Sequence, residues 1–100
     1  MLKAVSIVNQ NGRLIVSGDL NFLTVPIVWE HSLPLLSTSQ ELNFDLEKIT
    51  FSNSAALALL IEWIKYAKKN QKKIQFHHIP PQLTSIINAA GVSLKILLTN

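Results

Sequence analysis

The side chains best placed for chemistry in this sequence are those of Ser52-Asn53-Ser54, because they run directly into an apolar helix pattern that starts at Ala55. Ser and Asn side chains accept hydrogen bonds from the free N–H groups of a first helical turn. The positive end of the helix dipole sits at the same place and favours anions. Ser54 is therefore the candidate key hydroxyl. It is read either as a plain helix cap or as a phosphate acceptor, whose added charge of about −1.5 to −2 would be held by the dipole and the free N–H groups.

No convergent catalytic set accompanies it, so no catalytic residue, metal site or cofactor is expected. His77 and His78 are neighbours at the end of an expected strand, where successive side chains point to opposite faces. His31 falls in a different element, and the six carboxylates are scattered. The three glycines, Gly12, Gly18 and Gly91, build neither a GxxxxGK phosphate loop nor GxGxxG. A GxSxG nucleophile turn is absent too. With no cysteine, disulfides, thiolate nucleophiles and thiolate metal sites are excluded together.

The elements that must position Ser54 can be read from periodicity. Leu57, Leu60, Ile61 and Ile64 recur at helical spacing and form the expected buried face of a central helix. A surface helix should be polar on its other side. Here Ala55, Ala56, Ala58 and Leu59 leave no charge before Glu62, and polarity returns only with Lys65, Lys68 and Lys69. The start of this helix, Asn53, Ser54, Ala55, Ala56, Ala58 and Leu59 with Trp63 alongside, is therefore expected to be exposed and to dock a protein partner. Trp29 and Trp63 otherwise read as core aromatics.

Around that helix, Ala4–Val8 and Arg13–Ser17 read as antiparallel strands joined by Asn11-Gly12, the preferred pair for a tight hairpin. Gly18-Asp19-Leu20-Asn21 is expected to end the second strand. Thr24 is expected to cap a helix from Val25 to about Leu36, facing Val28, Trp29 and Leu33 inward, with Pro34 arguing against regularity beyond Leu33. Leu42–Leu46 reads as a strand, and Glu47–Ser52 as a crossover. Lys73–His77 is a further strand. Pro80-Pro81 opens a helix with Leu83, Ile86, Ile87 and Ala90 as its stripe, and Gly91 stands at its left-handed cap position. Leu94–Leu98 is expected to close the chain as a strand or helical turn. The order β-β-α-β-α-β-α predicts a mixed sheet with an N-terminal hairpin and helices packed on it, since strands joined through helices run parallel.

Composition is consistent with one globular α/β domain over residues 1–100: 48% of residues are hydrophobic and only 15% charged. The apolar run Ala55–Ile61 is far short of the roughly 18 residues a spanning helix needs. The N-terminal apolar run is too short for a secretory signal. Of nine basic residues, five lie between Lys65 and Lys73. Without interleaved arginine or a recognition motif, this cluster reads as a solvated helix end, and no nucleic-acid partner is expected.

From Asn43 to Leu60 the sequence NFDLEKITFSNSAALALL resembles the central motif of STAS domains, the fold of anti-sigma factor antagonists and of sulfate-transporter tails. Asp45-Leu46-Glu47 corresponds to the family's strand end, and Asn53-Ser54-Ala55-Ala56-Leu57 to its helix start. Gly18-Asp19-Leu20-Asn21 is similar to the Gly-Glu-Leu-Asp that follows the family's second strand. Within the family, Ala56-Leu57-Ala58-Leu59-Leu60 and the later Ala67-Lys68-Lys69 are most similar to the small STAS subunits of Mla phospholipid-transport complexes. That resemblance implies a non-catalytic cytoplasmic subunit that binds the ATPase of an ABC transporter. It would reach the inner membrane only through that partner and would serve intermembrane phospholipid transport and outer-membrane lipid asymmetry. The alternative implied by the fold is an anti-sigma factor antagonist that binds a serine-kinase anti-sigma factor. Two departures weigh against the alternative. Asn53 stands where the family carries an acidic residue, and Ala55 stands where phospho-switched antagonists carry the phosphorylated serine.

Overall fold

Asn11 and Gly12 take φ values of 54° and 85°, the left-handed pair that a two-residue hairpin demands. Gly12 N–H donates to Asn9 Oδ1 at 3.0 Å and closes the turn. The computed structural model describes residues 4–91. The expected conformation of Leu94–Leu98 lies outside the described residues. The hairpin joins β1 (Ser6–Gln10) to β2 (Arg13–Leu20), and α1 (Val25–Thr38), β3 (Glu41–Ser52), α2 (Ser54–Lys69), β4 (Lys73–His77) and α3 (Pro81–Ala89) follow. This is the expected element order.

The sheet runs β1-β2-β3-β4, antiparallel at the hairpin and parallel across β2–β3 and β3–β4. Each right-handed crossover advances one strand in the same direction, so α1 and α2 lie on one face of the sheet. Burial along β2 records that face: Leu14, Val16, Gly18 and Leu20 are buried, and the residues between them are not. Leu42, Phe44 and Leu46 continue the core on β3, and Trp63 of α2 stacks on Phe44 with ring centroids 4.0 Å apart.

Two strands are longer than their sequence pattern suggests. β2 continues through Gly18-Asp19-Leu20, and the stretch Glu47–Ser52 is not a crossover but the second half of β3. The cause is a pair of register shifts against β2, where Ile15 pairs with Asp45 but Ser17 with Lys48, and Gly18 with Ile49 but Asp19 with Phe51. Each shift inserts one extra β3 residue, so the buried positions change spacing from two to three, at Leu46, Ile49 and Ser52. Gly18 is required here, because its φ is +96° and a Cβ would overlap the Ala4 carbonyl oxygen.

α1 also corrects its expectation. It runs through Pro34 to Thr38. Pro34 is exposed, so the carbonyl left without its helical donor can be solvated. The last turn is held from outside: Lys72 Nζ donates to the carbonyls of Leu36 at 2.6 Å and Ser39 at 2.7 Å. A cation at the negative end of a helix dipole is stabilising, and it gives one member of the lysine cluster a structural task. Leu33 is exposed, and the inward stripe is Val28, Ser32 and Leu36, with Trp29 half-buried. The serine hides the period in the sequence. Its hydroxyl donates to Trp29 O at 2.6 Å and accepts from Trp63 Nε1 at 3.0 Å.

Candidate functional site

α2 is the middle member of the helical layer, in contact with α1 on one side and α3 on the other. A helix in that position has three covered flanks: the sheet below and a helix on each side. Ala55, Ala56, Leu57, Leu59, Leu60, Trp63, Ile64 and Ala67 are all buried, and Ile61 is half-buried. The exposed residues are Ser54, Ala58, Glu62, Lys65, Lys68 and Lys69, and all but Lys68 recur at the spacing of a single helix face.

The expected exposure of Ala55, Ala56, Leu59 and Trp63 is therefore overturned. Their missing polar face reflects burial between two neighbouring helices. Trp63 is fully buried, with its N–H bonded to Ser32. The helix cap is Asn53 rather than Ser54. Asn53 Oδ1 accepts from Ala55 N–H at 2.9 Å, and Asn53 N–H donates to Leu20 O at 3.2 Å, which ties the helix start to the end of β2. Ser54 is the first helical residue and its side chain is exposed. Of the seven residues expected at the surface, Ser54 and Ala58 are exposed and Asn53 is partly so.

The turn from β2 to α1 supplies what periodicity missed. Asn21 Oδ1 accepts from both Leu23 N–H and Thr24 N–H, at 2.9 and 3.0 Å. Thr24 Oγ1 accepts from Asn21 N–H at 2.9 Å and donates to Asp19 O at 2.6 Å. Thr24 thus braces the turn and makes no side-chain cap to α1. These bonds fix a turn whose two middle side chains face water, Phe22 at 69% and Leu23 at 77% exposed. Ile27, one turn along α1, and Phe51, paired with Asp19, add further exposed apolar surface. Beside them, an apolar hollow of about 260 Å³ lies between Val25, Pro26 and Trp29 of α1 and Ala58, Leu59 and Glu62 of α2. The sequence signal was available: two large apolar residues between turn formers, Asn21 and Thr24, with no strand or helix period to absorb them.

Among the described residues no helix packs on the opposite face of the sheet, and Asn43, Asp45 and His77 make its β3–β4 side polar. Both histidines turn towards it, contrary to the expectation that they diverge: His77 Nε2 lies 3.3 Å from Asn43 Oδ1, and His78 Nδ1 3.2 Å from Asp45 Oδ1. Asn43 and Asp45 share one strand face, and the positive φ of His78, 57°, brings its ring back to that face. Asp45, Glu47 and His78 place one ligand atom each within 4.8 Å of one another. Asp45 Oδ1 already accepts Glu47 N–H at 3.1 Å, and Arg13 stands 3.9 Å from Oδ2. That backbone bond, opposed by burial and aided by His78 and Arg13, holds the Asp45 carboxyl below its ordinary value. A carboxylate so engaged serves to knit strands together.

A four-stranded mixed sheet with three helices layered on it is a small α/β domain of STAS-like architecture. Comparison with protein families gives the same class: the model described as "Mlab, STAS domain" matches residues 4–99. The chain belongs to the STAS domain family, in the branch that this MlaB model describes. No curated protein matches the sequence. STAS domains are small protein-interaction and regulatory modules and are generally non-catalytic.

Proposed function

We propose that this chain is the STAS subunit that docks on the cytoplasmic ATPase of an ABC transporter for intermembrane phospholipid transport. The contact is the corner formed by Phe22, Leu23 and Ile27 with the outward stripe Ser54 and Ala58. The carrying observation is the exposure of Phe22 and Leu23 on a turn that four hydrogen bonds hold in place. Burying one such side chain contributes about 1.5–3 kcal/mol, and interfaces concentrate their energy in a few anchors of this kind. Because the turn is already ordered, little conformational entropy is lost on binding. Among the expected contact residues, Asn53 shapes the corner as the cap, while Ala55, Ala56, Leu59 and Trp63 support it from behind.

The resemblance to Mla subunits and the family match support this transport role over the antagonist one, as does Ala55 at the position of the antagonists' phosphorylated serine. Among the described residues no helix is long and apolar enough to cross a membrane. In this reading the chain meets the inner membrane through the ATPase alone. The test is affinity purification of the tagged chain from its own host, with mass spectrometry of what co-purifies. An ABC ATPase in stoichiometric amount is expected. Recovery of a serine-kinase-like protein, with phosphate on Ser52 or Ser54, would overturn the transport reading.

A further inference from the structure

Asn11 and Gly12 close the β1–β2 hairpin, and both are exposed. Asn11 is the one asparagine of the sequence that precedes a glycine. That pair carries chemistry as well as shape. The main-chain nitrogen that follows an asparagine can attack the side-chain carbonyl carbon, Cγ, and a glycine nitrogen arrives with no side chain beside it. Apart from its chain neighbours, nothing lies within 4 Å of the point where a Gly12 Cβ would stand. One contact opposes the attack: Gly12 N–H donates to Asn9 Oδ1 at 3.0 Å. While that bond holds, the nitrogen keeps its proton and is no nucleophile.

The reaction needs only water as co-reactant. Once the Asn9 bond opens, Gly12 N–H gives its proton to solvent base and the nitrogen bonds to Asn11 Cγ. The Cγ–Nδ2 bond then breaks, and ammonia leaves after taking up a proton. One water opens the cyclic imide that remains. Opening at Cγ gives aspartate on an unchanged main chain. Opening at the Asn11 main-chain carbonyl gives isoaspartate, with the chain now running through Cβ and Cγ. Either product adds one negative charge to a chain of formal charge +3. Aspartate keeps the hairpin, because Asp-Gly suits the same turn. Isoaspartate lengthens the main chain inside a two-residue turn, and the nearest strand pairs, Gln10 with Arg13 and Asn9 with Leu14, lose their register.

We infer that Asn11 is a site of spontaneous deamidation, and that the Asn9 carboxamide sets its rate by holding Gly12 N–H. The inference goes beyond the docking function and does not depend on it.

The test ages the wild-type chain, Asn9→Ala and Asn9→Asp at mildly alkaline pH, each also in urea. Peptide mapping by mass spectrometry, with fragmentation that separates isoaspartate from aspartate, follows every asparagine, and a thermal melt checks each folded sample. In the folded wild type, Asn11 should convert before any other asparagine. Asn9→Ala should convert Asn11 about three- to tenfold faster, the factor that an ordinary hydrogen bond is worth. Asn9→Asp keeps the acceptor oxygen and should age no faster than wild type. In urea the bond is absent from all three chains, and their rates should converge. An unmodified Asn11, or earlier conversion elsewhere, would overturn the site. A wild-type rate in Asn9→Ala, an Asn9→Asp rate equal to that of Asn9→Ala, or differences that persist in urea would overturn the role of Asn9. If Asn9→Ala melts below the ageing temperature, the wild type decides alone: folded Asn11 should convert at least about threefold more slowly than in urea, and equal rates would overturn the inference.

Discussion

The first two turns of α2 and the turn between β2 and α1 place apolar side chains next to each other at one end of the sheet, yet they lie on opposite sides of the boundary with water. Ala55, Ala56 and Leu59 are buried, and Phe22 and Leu23 stand more than two-thirds exposed. The difference is one of neighbours. α2 has α1 and α3 on its flanks and the sheet beneath it, so small residues there allow helices to pack closely. Among the described residues nothing lies above the β2–α1 turn, and the bonds to Asn21 and Thr24 prevent it from folding its side chains inward. An uncharged helix is therefore a sign of burial, while large apolar residues in a rigid turn are a sign of a partner.

The sharpest way to break this comparison is to charge the helix. Ala55→Glu would place a carboxylate in a site only 4% exposed. An unpaired buried charge is strongly destabilising, on the order of the 5–15 kcal/mol that holds a domain together. The variant should lose its cooperative thermal transition by circular dichroism. A wild-type melt would return this part of α2 to the surface.

Gly18→Ala should come next. The positive φ alone carries about 1–3 kcal/mol of strain for a side chain, and the overlap with the Ala4 carbonyl adds to it. Urea denaturation should show a lower midpoint with an unchanged slope. A smaller loss is expected from Lys72→Met, which keeps the packing stem but removes the cation bonded to Leu36 and Ser39. About 1–2 kcal/mol of stability should disappear, on the scale of a charged bond at a helix end, and hydrogen exchange should quicken first in the last turn of α1.

The smallest effect concerns the opposite face of the sheet. The folded Asp45 carboxyl titrates below its ordinary value of 3.8. Its contribution is therefore complete above that value and is lost as pH falls through the lower, folded value. Asp45→Asn should flatten the acid limb of a stability-against-pH curve and leave neutral-pH behaviour of the docking corner unchanged. An acid limb that is identical in both proteins would show that the Glu47, His78 and Arg13 contacts contribute nothing.

Sequence periodicity reveals elements wherever one face repeats without interruption. The hairpin, β4, α3 and the Leu57–Leu60–Ile64 stripe are legible for that reason, and Gly91 does take a positive φ, 69°, just beyond α3. It conceals elements where a local event changes the period. The two register shifts give the second half of β3 a spacing of three, and Ser32 places a polar residue in the buried stripe of α1. The surface of the candidate site was half legible. Ser54 and Ala58 emerge from the motif and are exposed, but the exposure of their neighbours depends on which elements flank α2, and that is a tertiary fact. Phe22 and Leu23 belong to no period, so a search for faces passes over them.

The central claim is that the docking surface is the β2–α1 corner and not the flanks of α2. Isothermal titration of the Leu23→Asp variant against the co-purified ATPase, beside thermal melts of both proteins, tests it most directly. Leu23 is 77% exposed, so the melt should match wild type, whereas affinity should fall by about a hundredfold or more, the loss expected for a central anchor. Wild-type affinity in a fully folded Leu23→Asp protein would contradict the account.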